Sequence, residues 1–230
     1  MLGHAQAIAV LCSGGLDSAI LVGHLLRGGR RVFPLYIRSH LLWETVEQAY
    51  LERYVQELKH SSAGFAVECL EPVTVLDMPV GDLYGHHWSI SGENVPDARS
   101  EDTAVYLPGR NLLLLAKGLI WCHLRGVPEI ALAHLKGNPF GDAREEFFAA
   151  LETAIYLSSG QRIAIRRPFA HMDKAAVLHL GRDLPLHWTF SCIQPEDGQH
   201  CGRCNKCAER RRAFREAGLS DPTWYAAPAG

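Results

Sequence analysis

The chain has no apolar run long enough to cross a bilayer, no internal repeat and no low-complexity tract. It also lacks a basic excess. Lys and Arg total 23 against 25 Asp and Glu, a net charge of −2, so no global field draws it to nucleic acid. The opening residues MLGHAQ show no signal-peptide pattern, and a soluble cytoplasmic protein is expected. No GxxxxGK[ST] lysine is present, which excludes the usual γ-phosphate loop. Its 230 residues suffice for one α/β domain with a sizeable core, and its 47% hydrophobic and 21% charged content is ordinary for a globular chain.

The stretch around which the rest is organised is Ala7–Leu26. Ala7–Cys12 reads as a strand buried on both faces, Ser13–Ser18 (SGGLDS) as a tight turn, and Ala19–Leu26 as a helix stopped by Gly28 and Gly29. Strand, glycine turn and helix together aim backbone N–H groups at an anion. Gly14 and Gly15 permit close backbone approach, and Ser13 and Ser18 add hydroxyls. Asp17 is the odd member: it either caps loop N–H groups or holds a metal that touches phosphate.

Further along, Arg31–Ile37 reads as a strand whose Pro34 suggests an irregularity or an edge position. Trp43–Leu58 has helical spacing, and Phe65–Leu70 reads as a third strand, so the order favours a parallel sheet. Asp77–Tyr106 is irregular; its His86, His87 and Trp88 either touch a ligand or pack at the surface. YLPGRN then opens an apolar helix, Leu112–Leu124. Asn111 suits a cap, whereas Arg110 opposes the helix dipole and suits a clamp on carboxylate or phosphate. Glu129–Ala133 and Arg162–Ile165 read as strands, Arg144–Tyr156 and Lys174–Leu184 as helices, and His134–Asp142 as a loop at a strand's C-terminal end. Lys174 either reaches an anion or is solvated.

Of 7 cysteines, Cys12, Cys69 and Cys122 sit in apolar stretches and read as buried thiols. Cys192, Cys201, Cys204 and Cys207 are spaced C-x8-C-x2-C-x2-C, which describes a closed structural Zn²⁺ site. An iron–sulfur cluster competes, and zinc is preferred because the neighbouring residues are polar and offer no apolar shield. His200 reads as a bystander. Ala208–Ala217 is a basic helix that either meets RNA through Arg210, Arg211, Arg212 and Arg215 or presents a solvated face.

SGGLDS resembles the SGGxDS signature of the PP-loop ATP pyrophosphatase superfamily. With YLPGRN and the FSC…CGRCNKC…FREAGLSDPT ending, in that order over nearly the whole length, the chain resembles the ExsB-like branch, the 7-cyano-7-deazaguanine synthase family. The resemblance implies an α/β, parallel-sheet, adenine nucleotide α-hydrolase-like domain over residues 1–184 and a small zinc-binding lobe over 185–230, often as a homodimer. It implies ATP and Mg²⁺ as well as Zn²⁺. It implies ATP-driven conversion of 7-carboxy-7-deazaguanine and ammonia to a nitrile through an adenylated carboxylate, with no direct nucleic-acid or membrane partner.

Carried over by position, Ser13, Gly14, Gly15, Asp17 and Ser18 hold pyrophosphate, with Cys12, Leu16 and Ala19 flanking them in the nucleotide-binding stretch. Arg110 and Asn111 line the pocket, and Ser13, Asp17, Arg110 and Lys174 form the catalytic set. The four clustered cysteines take zinc. One segment departs: where relatives carry DYSGYPDCR, this chain reads GNPFGDAREEFF, keeping Gly141, Asp142 and Arg144. A paralogue acting on another carboxylate, a PP-loop tRNA sulfur transferase and a non-catalytic nucleotide-binding module are the alternatives.

Overall fold

The computed structural model describes residues 6–60, 66–138 and 140–227, apart from the side chain of Asp102. Its centre is a five-stranded, all-parallel sheet in the order β3-β2-β1-β4-β5. The strands are β1 (Ala7–Leu11), β2 (Arg31–Arg38), β3 (Thr74–Asp77), β4 (Glu129–Ala131) and β5 (Ala164–Arg166). Between them run α1 (Leu16–Arg27), α2 (Glu44–His60), the one-turn helices α3 (Gly81–Tyr84) and α4 (Trp88–Ser91), α5 (Arg110–Arg125) and α6 (Glu145–Ser159). After β5 come α7 (Lys174–Leu180) and α8 (Asn205–Glu216). The expected α/β parallel architecture is what the chain forms.

Side-chain alternation along β1 builds the two faces. Ile8 and Val10 join a core with α1, α2 and α7, while Ala9 joins Leu115, Leu119 and Phe148 of α5 and α6 on the other side. The chain winds outward from β1 through β2 to β3, then crosses back to β4 and β5. The reversal falls between β1 and β4, and ligands in such sheets bind beyond the strand C-termini at that point.

Four expectations are corrected. Phe65–Leu70 is not the third strand. Phe65 lies outside the described residues, Val67–Cys69 forms a 3-10 turn, and Leu70 makes only an isolated bridge to Val32. The strand falls beyond Pro72, which has no N–H to give a ladder, in the β-branched run that starts at Val73. Pro34 occupies an interior strand rather than an edge. Leu35 O accepts from Cys12 on the β1 side and Val32 O from Glu71 on the β3 side, so Pro34 faces β3. There it falls in the gap between the Leu70 bridge and the ladder that starts at Leu35–Thr74, where no N–H is required. The stretch 77–106, read as irregular, carries α3, α4 and a 3-10 turn. Cys12 and Cys122 are buried as expected, while Cys69 is half-buried.

The C-terminal residues do not stand apart from the sheet domain. Ala213 and Phe214 of α8 enter the main core, and the four clustered cysteines share a third core with Leu41, Trp43, Val80 and Leu107. The basic helix is not simply a solvated face. Arg210 is only 2% exposed. Its guanidinium donates to Leu186 O, Thr189 Oγ1, Ser191 Oγ and Thr223 Oγ1, at 3.0, 2.9, 3.1 and 2.6 Å. Arg211 donates to the carbonyls of Gly202 and Ala227. Arg210→Ala strands those acceptors and opens a cavity; it is expected to lower unfolding free energy by about 3–5 kcal/mol in urea titrations.

Candidate functional site

The SGGLDS turn leaves β1 at the switch point, and its geometry is fixed by its own serines. Ser18 Oγ donates to Gly15 O at 3.1 Å and accepts from Ser13 N–H at 3.2 Å, with the Ser13 hydroxyl 3.3 Å away. Gly14 adopts φ +69°, where a Cβ is strained. That Cβ would also stand 2.9 Å from Glu47 Cγ and 3.0 Å from Glu47 O. From the other side, Phe190 N–H donates to Gly14 O at 2.8 Å. Helix α1 begins at Leu16, earlier than its apolar run suggested, so Asp17 and Ser18 sit in its first turn, whose N–H groups have no intrahelical partner.

This turn opens on a cavity of about 380 Å³ beyond the C-terminal ends of β1 and β4. Cys12, Ser13, Gly15, Leu16, Asp17 and Ser18 line it, and so do Arg110, Asn111 and Lys174. Gly14 and Ala19 do not: Gly14 backs onto Glu47, and Ala19 is buried in the main core. Asp17 does not cap the loop. Its carboxylate takes Lys174 Nζ at 2.7 Å to each oxygen. Asn111 is not the helix cap either, since Gly109 takes that position with φ +70°. Asn111 instead donates to Asp142 O at 3.1 Å through its side chain and to Asp142 Oδ2 at 3.2 Å through its backbone. Arg110 faces Glu44 and Glu47, and its Nε is buried without a hydrogen-bond partner.

Several lining residues escaped sequence reading. Glu47, 6% exposed, accepts from Tyr36 OH at 2.9 Å. Burial pushes its carboxyl up to about 8, against the opposing pull of Arg110 and Tyr36. Burial likewise raises Glu44. His134, at the end of β4, has both ring nitrogens buried and unpartnered, and burial first, then Arg167, holds it neutral. Helix α8 adds Lys206 and Glu209, which pair with each other. Trp88 lines the wall and stacks on Trp43 at 5.7 Å. His87 instead takes Ser89 N–H as a helix cap. The departing segment still supplies an aromatic: Phe140 stacks on Tyr106 at 4.6 Å, and both line the cavity. A Trp-Glu-x-x-Glu helix start was the one available signal for the acidic pair, and it is indistinguishable from a favourable helix N-terminus.

Cys192, Cys201, Cys204 and Cys207 bring four Sγ atoms within 4.8 Å of one another, all buried. The Cys192–Cys204 and Cys201–Cys207 separations are 3.8 and 4.0 Å. A tetrahedron with metal–sulfur bonds of about 2.3 Å has edges of about 3.8 Å. Backbone N–H groups of Gln194 and Cys201 reach Cys192 Sγ, and those of Arg203 and Cys204 reach Cys201 Sγ, each at 3.3 Å, which favours thiolates. The residues fit a single metal ion. The apolar shield missing from the local sequence is present after all, supplied by the third core. His200 is no ligand; buried and held neutral, it accepts Ser191 N–H at 3.0 Å.

Gly14→Ala, forced into a left-handed backbone against Glu47, is expected to lower stability by roughly 1–3 kcal/mol in urea titrations.

Among the described residues no helix is long and apolar enough to cross a membrane. A family model described as Queuosine biosynthesis protein QueC matches residues 6–218. The 7-cyano-7-deazaguanine synthase of Solidesulfovibrio magneticus is 30% identical, over 96% of this chain and 96% of its own. That of Thiobacillus denitrificans is 31% identical, over 94% and 97%. A solved 4-thiouridine synthetase–RNA complex with bound ATP superposes loosely, with TM-score 0.49 at 12% identity, over 93% of this chain and 50% of that one. A cavity at the β1–β4 switch point, a serine–glycine turn and a four-thiol centre thus occur in a chain that belongs to the QueC family of queuosine biosynthesis proteins.

Proposed function

We propose that this enzyme converts 7-carboxy-7-deazaguanine and ammonia to 7-cyano-7-deazaguanine, using ATP to adenylate the carboxylate. The observation that carries the reading is the Ser13–Ser18 turn opening on the same cavity as Arg110 and Lys174. A carboxylate is a poor electrophile, and transfer of AMP gives it a leaving group. The first step opposes two anions, substrate acid and nucleotide. The free N–H groups at the start of α1 and the hydroxyl of Ser13 receive the departing pyrophosphate. Lys174 exchanges its bond to Asp17 for phosphate oxygen, and Arg110 neutralises the acid or the α-phosphate. Asp17, a half-buried carboxylate on the cavity wall, fits a divalent cation shared with phosphate; when bound, Mg²⁺ supplies charge neutralisation there. A second activation dehydrates the amide to the nitrile.

Sulfur transfer is disfavoured. Cys12 is the one thiol among the described lining residues, and burial pushes it up to about 12, far from a reactive thiolate. In the same reading residues 1–184 bind nucleotide, and 185–230 form a lobe whose four thiolates hold Zn²⁺. Sulfurs this close enclose one ion, whereas a multi-iron cluster needs them farther apart.

Pyrophosphate release from ATP on addition of 7-carboxy-7-deazaguanine tests the assignment. Release dependent on that acid is expected, and silence with it while another carboxylate responds would move the enzyme to a different acceptor. Elemental analysis should find one zinc per chain. Stripping it should lower the melting temperature sharply, because a Cys₄ site contributes on the order of 10 kcal/mol to folding.

A further inference from the structure

The reading above needs ammonia, and at neutral pH the solute is almost entirely ammonium, which has no lone pair with which to attack. Of the acidic groups on the cavity wall that the adenylation chemistry does not use, Asp142 is engaged by Asn111 and Glu209 by Lys206, which leaves Glu47. Glu47 lines the wall directly behind the SGGLDS turn, its Cγ 2.9 Å from where a Gly14 Cβ would stand. Its carboxylate accepts from Tyr36 OH of β2 at 2.9 Å and from the Trp43 side chain. Those bonds leave two of its four acceptor positions for a ligand. The charged groups that face it are Arg110 from α5 and Glu44 from its own helix; Gly14, from the turn, brings none. Ionising Glu47 adds one negative charge beside Arg110 and Glu44, so the site draws a small cation most strongly in the state that can take a proton from it. Trp43 and Trp88, stacked on each other, line the same cavity.

We propose that Glu47 binds ammonium and removes its proton, so that the nitrogen can attack the adenylated carboxyl carbon. The step balances. Ammonium gives one proton to the Glu47 carboxylate, and the freed lone pair forms the C–N bond. The C–O bond to AMP breaks with its electron pair on the phosphate oxygen. The nitrogen sheds a second proton to that oxygen, leaving amide and AMP. Glu47 then returns its proton to solvent. A carboxyl pushed up to about 8 by burial is basic enough for this exchange, where an ordinary carboxylate is not.

This inference rests on the adenylation reading, and the test separates the two. Glu47→Gln keeps the size and an acceptor oxygen for Tyr36 but takes no proton. Three assays are compared: acid-dependent ATP–pyrophosphate exchange, turnover with ammonium chloride, and hydroxamate formation with hydroxylamine, which is neutral at pH 7. Ammonium turnover by Glu47→Gln is expected to fall about 100-fold at pH 7, the range of a lost general base, with exchange and hydroxamate formation changed by less than about threefold. The unaltered enzyme's ammonium rate should rise as pH passes through about 8, and that inflection should vanish in Glu47→Gln. Equal losses in all three assays would make Glu47 a structural residue and overturn the assignment, as would an unchanged ammonium rate. If the unaltered enzyme itself shows no exchange, the adenylation reading fails and takes the inference with it.

Discussion

The hydrogen bond from Phe190 N–H to Gly14 O, 2.8 Å long, joins the two halves of the site. It ties the segment that leads into Cys192 to the one residue of the SGGLDS turn held in a left-handed backbone. Gly14 is gripped from behind by Glu47 and from the side by Phe190, and the serines lock its neighbours. An anion-binding turn works by presenting N–H groups already in place, so that no ordering cost falls on the ligand. The cysteine centre and the buried Arg210 network hold Phe190 where that bond can form, so the four-thiol centre bears directly on the geometry of the turn.

The cavity is a place of polar groups held short of satisfaction. Arg110 Nε and both nitrogens of His134 are buried without partners, and Glu44 and Glu47 are raised by burial. Leaving a buried polar atom unpaired costs about 1–3 kcal/mol, a cost that a fold tolerates where a ligand relieves it. Where partners do exist, they are exchangeable. Lys174 is held by Asp17 and Lys206 by Glu209, each pair on the cavity wall and partly exposed. Pairs in that setting are worth little, so either carboxylate can be displaced from its lysine at small cost.

The acidic pair answers a different demand. Burial raises both carboxyls above their usual range, the Glu44 charge pushes Glu47 further in the same direction, and Arg110 opposes the shift in both. Tyr36, whose own hydroxyl is pushed up by burial and by Glu47, remains a hydrogen-bond donor throughout the working range.

What the sequence by itself determined is local. The SGGLDS turn, the four-cysteine spacing and the strand–helix alternation each depend on backbone preferences or chelate spacing within a few residues, and each was legible. Arg110 stood out because a cation at a helix N-terminus defies the dipole. Tertiary structure decided the rest, for a common reason: the partner lies far along the chain. Asp17 meets Lys174 across 157 positions, and Asn111 meets Asp142 across 31. The interior place of Pro34 depends on where β3 begins to pair, and the burial of Arg210 on Leu186, Thr189 and Thr223 converging around it. Glu47 reads in sequence as an ordinary helix-start acid. Only the sheet that seats α2 behind the turn takes its carboxyl out of water and gives it a different chemistry.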